Sequence, residues 1–352
     1  MNSLQPPFVT GLLPEAQRSL PVLWLPRTDG SVAGLAAWVS QNRATVEKTL
    51  LDTGGILVRG FDVRSADDVE TLAAAFVPDL GQDYLGTSPR HAVTPRVFNA
   101  SELPGYYPIP QHCEMTFVAQ PPRRIFFSCL VEPAAGSGET PITDFQAVAA
   151  GLPADVRARF EQRDLRLIRN YTGPGHKGRD LWQLKPWHEM FGTTDRDVVS
   201  ERCRNEGFEA EWVGNDGLRL VSYHKAFHPH PQTGATIWFN HLQVFHLAAG
   251  PMELQHIAKM RPSVRSRFWS LAAGAMGSVK SRRPSIEQSM HMTWANGDEI
   301  AHSDLKAVME TIWANQVVFP WKKGDFLALD NRRVSHGRLP YRGPRKVVVA
   351  WS

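Results

Sequence analysis

The chain has 352 residues, 42% of them apolar and 21% charged, with a formal net charge of +4 and a pI near 9.0. That is the composition of a globular protein with a sizeable core. No apolar run is long enough to predict a membrane span, and no basic block or basic helix predicts a nucleic-acid surface.

Met1-Asn2-Ser3-Leu4-Gln5-Pro6-Pro7 lacks the basic-then-apolar pattern of a secretory signal. Three cysteines (Cys113, Cys129, Cys203), odd in number and without paired metal spacing, fit a reducing, cytoplasmic setting. Leu35, Trp38, Val39, Val46 and Leu50 recur near the helical period and predict an amphipathic helix over 33–50. Asp52-Thr53-Gly54-Gly55 stops it, with glycine supplying a positive-φ exit. Ile56-Leu57-Val58 reads as a buried strand and 66–76 as a second helix. Residues 77–110, rich in Gly, Pro and Tyr, read as a loop region that includes Asn99, Tyr106 and Tyr107. Arg124 to Val131 reads as a strong strand. A turn at 135–138 leads through Thr140-Pro141-Ile142-Thr143-Asp144 to a helix over 152–162, with Pro153 early, where it is tolerated. Residues 170–235, punctuated by Trp182, Trp187 and Trp212, read as an insert of several short elements. Lys280-Ser281-Arg282-Arg283 reads as a solvated loop, or secondarily as a lip for an anionic substrate or carrier. Leu305, Val308, Met309, Ile312 and Trp313 mark another amphipathic helix, and Gly324-Asp325 a turn before the last strands.

Side chains at i and i+2 of an extended segment point the same way. His112 and Glu114 can therefore reach one metal ion while Cys113 points elsewhere. With a distant His336 they make the two-imidazole, one-carboxylate set that holds non-haem Fe(II) on one face and leaves the other open. A lone His-x-Glu is uninformative, and thirteen His guarantee a distant partner, so the flanking residues must decide. His241 and His246, at i and i+5 of a presumed strand, face opposite sides and read as structural or pocket residues.

Those flanking blocks run in order from Gly55 to Ser352. They are Gly55-Ile56-Leu57-Val58-Arg59-Gly60-Phe61, Ser88-Pro89-Arg90, Gln111-His112-Cys113-Glu114-Met115-Thr116-Phe117 and Gly138-Glu139-Thr140-Pro141-Ile142-Thr143-Asp144. Trp238-Phe239-Asn240, Gly324-Asp325-Phe326 and Asp330-Asn331 through Arg345 follow. The chain resembles the Fe(II)/2-oxoglutarate dioxygenases of the taurine dioxygenase and clavaminate synthase type, most closely the branch associated with peptide natural-product biosynthesis.

The resemblance implies a mainly-β fold with helices: a distorted double-stranded β-helix, or jelly roll, with flanking helices and a helical or irregular insert. The corresponding organisation is an N-terminal segment, 1–54, whose helix packs on the core, and a jelly-roll domain, 55–352, with the insert at about 165–310. His112, Glu114 and His336 would hold Fe(II), Thr140 and Arg345 would bind 2-oxoglutarate, and O2 would be the oxidant. In iron halogenases a small residue replaces the carboxylate ligand, so Glu114 favours oxygen transfer. The implied reaction is hydroxylation of an amino acid or a related small molecule, free or carrier-tethered, with 2-oxoglutarate converted to succinate and CO2. Desaturation, cyclisation or epoxidation on the same centre is the close variant, and a zinc hydrolase the different-class alternative. Arg338, Asn99, Asn240, Trp238 and Arg90 are the candidate substrate contacts. Arg338, two residues after His336, would bring a cation near iron for a substrate carboxylate, or else pair with a nearby acid; Asp298 and Glu299 could meet a substrate amine.

Overall fold

The computed structural model describes residues 5–17, 19–81, 90–176, 184–280 and 282–352. Met1, Asn2, Ser3, Leu4, Ser88, Pro89, Trp182 and Ser281 of the segments above lie outside the described residues. The central element is a seven-stranded sheet in the spatial order Phe8–Gln17, Leu20–Pro26, Gly55–Val58, Phe326–Asp330, Arg124–Val131, Lys346–Trp351, Phe98–Asn99. Phe326–Asp330 is antiparallel to both neighbours and buried throughout. A strand covered on both faces needs an unbroken apolar run, which Phe326-Leu327-Ala328-Leu329 supplies.

Leu20–Pro26 runs parallel to Gly55–Val58. A parallel pair needs a long crossover, provided here by helices Val32–Gln41 and Arg43–Thr53. The single helix expected over 33–50 is therefore two. Asn42 takes φ −119°, ψ 27° at the break, and its side chain donates to the Trp38 carbonyl at 2.8 Å, competing with the helical backbone. Gly54 closes the second helix at φ +82°, and a Cβ there would lie 2.6 Å from Val334 Cγ2. Conformation and space both require glycine. Ala66–Phe76 begins with a capping box between Ser65 and Asp68.

Alternation along each strand divides the core. Phe126, Phe326, Ala328 and Val348 meet Leu35, Val39, Leu72 and Phe76 of the outer helices. Ile125, Phe127, Leu327 and Leu329 instead meet Ile142, Val317 and Val334 of a second sheet. That sheet has the order Gln316–Val317, Ile142–Asp144, Val334–Arg338, Ile109–His112. Two of its strands thus come from what reads in sequence as a loop region and from the last motif.

Between 165 and 310 lies a third sheet, ordered Met290–Trp294, Leu165–Tyr171, Gly217–His224, Glu209–Val213, with helices Ala249–Met260 and Val264–Lys280. Leu165, Leu167, Tyr171 and Leu220 of this sheet share a core with Phe145, Val156, Phe160 and Leu305 from helices Phe145–Gly151, Ala154–Gln162 and His302–Ala314. Among the described residues no helix is long and apolar enough to cross a membrane.

Candidate metal centre and its pocket

His112 ends the strand Ile109–His112 and pairs with His336 in the antiparallel ladder. Direct cross-strand partners hold their Cβ atoms about 5 Å apart, and these two rings lie 4.6 Å apart. Glu114 follows just beyond the strand, and His336 Nε2 is 3.5 Å from Glu114 Oε2. One candidate ligand atom from each of His112, Glu114 and His336 lies within 4.8 Å of the other two. Cys113, between the ligand candidates, is buried in the apolar core of the insert.

The surroundings suit a divalent cation. His112 Nδ1 faces the Pro110 carbonyl at 2.9 Å, so the ring proton sits there and Nε2 keeps its lone pair. Asn331 accepts the Glu114 N–H at 2.6 Å and donates to the carbonyls of Glu114 and Pro122 at 3.1 and 2.9 Å. Its amide thus fixes the backbone that carries the carboxylate. Arg90 donates to Glu114 Oε2 at 2.6 Å, with both side chains buried. Burial alone would raise the Glu114 pKa; Arg90 and the two imidazoles outweigh it and hold the carboxyl well below the usual range. Burial, then the neighbouring His336, pushes His112 down to about 4. At neutral pH the set is two neutral imidazoles and one carboxylate, the protonation a metal requires.

Arg90, His112, Glu114 and His336 line one pocket. One part of it is cationic. Arg345 donates through Nε to the Gly138 carbonyl at 2.9 Å, and its Nη2 is 3.5 Å from Thr140 Oγ1. Thr140 in turn accepts from Trp321 Nε1 at 3.1 Å. The guanidiniums of Arg338 and Arg345 each lie 5.4 Å from the Tyr341 ring, and burial pulls both down to about 10. Another part is apolar and aromatic, from Phe117, Val244 and Phe245, with His241 among them.

The other candidate substrate contacts fall in different places. Arg90 lines the pocket, on Glu114. Arg338 lines it too, but its guanidinium donates to the carbonyls of Leu103, Pro104 and Tyr107 at 3.0, 2.8 and 2.7 Å. Neither a free cation nor an ion pair describes it. Asn99 lies outside the lining, donating to Glu102 at 3.0 Å. Trp238 is fully buried in the insert core, donating to Gln243 at 3.1 Å. Asn240 bonds the backbone of Ala226 and Leu242. Asp298 pairs with Arg163 at 2.8 Å on the surface.

His241 and His246 flank a short helix, Leu242–Phe245, rather than lying on a strand. His241 lines the pocket beside Thr116, with which it shares a short hydrogen bond. His246 sits in a separate cluster with His291 and Glu299. Sequence reasoning gave no individual role to Phe117 and read His241 as a structural or pocket residue; it lies on the pocket lining. Nothing in the local pattern distinguishes His241 among thirteen His, whereas Asn331 was visible only as part of a motif block.

The profile of the "Taurine catabolism dioxygenase TauD, TfdA family" matches residues 20–351. The dapdiamide synthesis protein DdaC of Enterobacter agglomerans is 28% identical over 305 residues, 87% of this chain and 84% of that protein. A clavaminate synthase-like protein of Arabidopsis thaliana is 27% identical over 346 residues, covering 96% and 91%. Among solved structures, PvcB from Pseudomonas aeruginosa superposes with a TM-score of 0.54 at 13% identity, covering 98% of this chain and 91% of that one. A putative α-ketoglutarate-dependent taurine dioxygenase from Burkholderia xenovorans gives 0.52 at 13%, covering 98% and 88%. The chain belongs to the TauD/TfdA family and is an Fe(II)/2-oxoglutarate-dependent dioxygenase.

Proposed function

We propose that His112, Glu114 and His336 hold the iron, that Arg345 and Thr140 hold the distal carboxylate of 2-oxoglutarate, and that the enzyme hydroxylates an amino acid or amino-acid-derived small molecule in secondary metabolism. One observation carries the reading: a His/Glu/His triple, buried guanidiniums and an aromatic wall line the same pocket. When bound, iron, 2-oxoglutarate and dioxygen supply the oxidising chemistry, with succinate and CO2 as coproducts.

The residues of the chain supply position and shielding. Arg90 keeps the Glu114 carboxylate ionised and oriented, and Asn331 fixes its backbone. Arg345 offers a planar fork to a carboxylate, with the Thr140 hydroxyl beside it. Phe117, Val244 and Phe245 exclude water from the side left for substrate. Arg338, bonded to three carbonyls of residues 103–107, acts as a brace for that loop. Asn99, Asn240 and Trp238 take structural roles.

We read the two facing sheets as the double-stranded β-helix of 55–352, extended at one edge by strands Phe8–Gln17 and Leu20–Pro26 of the segment 1–54, with the insert at about 165–310. The setting is cytoplasmic and the substrate free or carrier-tethered. DdaC is named for dapdiamide synthesis and PvcB is described as coming from an isonitrile synthetic pathway, which supports a natural-product role. The test is anaerobic loading with Fe(II) and 2-oxoglutarate, then oxygen, with a panel of free amino acids beside their carrier-bound thioesters. Substrate-stimulated succinate and a product heavier by one oxygen are expected. Stimulation by a sulfonate, nucleoside or lipid alone would defeat the substrate assignment.

A further inference from the structure

Arg169 is the anomaly of the insert. It lies on the strand Leu165–Tyr171, with alternate neighbours Leu167 and Tyr171 in the apolar core, and is completely buried. Its guanidinium is stacked between two rings, its carbon 4.5 Å from the centroids of both Phe117 and Phe208. Those contacts cover the faces of the cation but not its edge. Around the edge, Nη1 makes one long contact to the Tyr171 hydroxyl at 3.4 Å, while Nε and Nη2 are buried with no hydrogen-bond partner. No carboxylate pairs with Arg169 among the described residues.

A buried charge without a counter-ion is unfavourable, and unmade donors add to that. The pattern of the unmade donors is informative. Nε and Nη2 form the side-on fork of a guanidinium, the edge that binds a carboxylate through two parallel N–H···O bonds. Phe117, whose ring covers one face of Arg169, also lines the active-site pocket. From there the rings continue to the metal centre: Phe117 to His241 at 5.2 Å, and His241 to His112 at 5.5 Å. The Arg169 guanidinium therefore stands one side chain behind the aromatic wall of the substrate chamber.

We propose that Arg169 is the anchor for an anionic end of the substrate, a carboxylate, and that Phe117 is the gate whose rotation admits it. This rests on the substrate side of the pocket assigned above, and it names the cation that Arg338, bonded to backbone carbonyls, does not provide. Arg169 is a specificity residue: it selects acids over amines and takes no part in the oxidation.

The test uses the full chain with Mn(II) and 2-oxoglutarate bound in the absence of oxygen, so that Arg345 is already occupied. Hexanoate is the probe and hexylamine its charge-reversed control, followed by calorimetry. Hexanoate should bind wild type and hexylamine should not. Arg169→Met should weaken hexanoate by about tenfold or more, the scale of a lost charge-assisted contact. It should leave Mn(II) and 2-oxoglutarate affinities unchanged and the melting temperature of the ligand-free chain equal or higher, because an apolar side chain of similar length suits that core. Arg169→Lys keeps the charge without the fork and should also lose affinity. Phe117→Ala, which opens the gate, should speed hexanoate association, a readout that survives if the Arg169 variants fold poorly. The proposal is overturned if wild type does not bind hexanoate, if Arg169→Met binds it as wild type does, or if Phe117→Ala leaves the association rate unchanged. Loss of Mn(II) and 2-oxoglutarate binding from wild type would instead overturn the assignment of the pocket itself.

Discussion

The described residues contain two clusters of two histidines and one glutamate. His112, Glu114 and His336 form one, and His246, His291 and Glu299 the other; in each, candidate ligand atoms lie within 4.8 Å of one another. Composition alone cannot rank them, but the backbone around the rings can. At the first, His112 Nδ1 faces a carbonyl and carries its proton there, leaving Nε2 to bind. At the second, the Nδ1 atoms of His291 and His246 each accept a backbone N–H, from Leu247 and Ala248, both at 3.2 Å. A neutral ring then carries its proton on Nε2, and His291 uses it for Glu299 at 2.9 Å. Metal-bound imidazoles donate through their other nitrogen; at the first cluster His112 does so, while His336 Nδ1 is buried without a hydrogen-bond partner, and at the second both rings accept there, which is the wrong tautomer. A metal site is thus specified by what surrounds the ligands as much as by the ligands.

The largest effect should come from the carboxylates. Glu114→Ala should lower Fe(II) affinity and succinate formation by more than about a hundredfold, beyond the 10–100-fold typical of outer-shell changes. Glu299→Ala should leave both within about twofold, as a surface substitution does. Equal losses in metal titrations of the two variants would erase the distinction.

Next is Arg345, which lines the pocket of the first cluster. Arg345→Ala should weaken 2-oxoglutarate by about 2–5 kcal/mol, with a much smaller change in the substrate requirement. An unchanged 2-oxoglutarate affinity would transfer the role to another cation. Asn331→Ala removes the clamp on the Glu114 backbone and should lower metal affinity about 10–100-fold; Fe(II) titration of a variant that melts cooperatively would check it.

The smallest effect is pH dependence of the metal-free chain. Burial, then His291, pushes His246 down to about 3, and burial pushes His256 down to about 4. Their folded pKa values lie below the ordinary 6.5, so the unfolded chain takes up protons first. Stability is full above about 6.5 and declines as pH falls toward the folded values. His246→Phe should flatten that decline in melting curves; an unchanged slope would mean His246 does not contribute to it.

How much of this was legible in the sequence depended on range. His112 and Glu114 are two residues apart, so they are legible locally, although Glu114 opens a turn instead of continuing the strand; the motif order drew in His336, Thr140 and Arg345. The helix at 66–76 stands where the sequence reading places it. The strands Phe8–Gln17 and Leu20–Pro26 went unseen because they gain their place by pairing with Gly55–Val58 across a crossover, which no local pattern records. Arg338 lies in the pocket, but its fork is taken by loop carbonyls more than 200 positions away. Arg169 carries no local signal and stands out only once the fold closes Phe117 and Phe208 over it.

The most direct test of the account is an anaerobic titration of Fe(II) in the presence of 2-oxoglutarate, following the metal-to-2-oxoglutarate charge-transfer absorption in wild type, Glu114→Ala and Glu299→Ala. The account predicts saturation at one iron per chain, loss of the band in Glu114→Ala and its retention in Glu299→Ala. A band that survives Glu114→Ala, or one that disappears with Glu299→Ala, would contradict it.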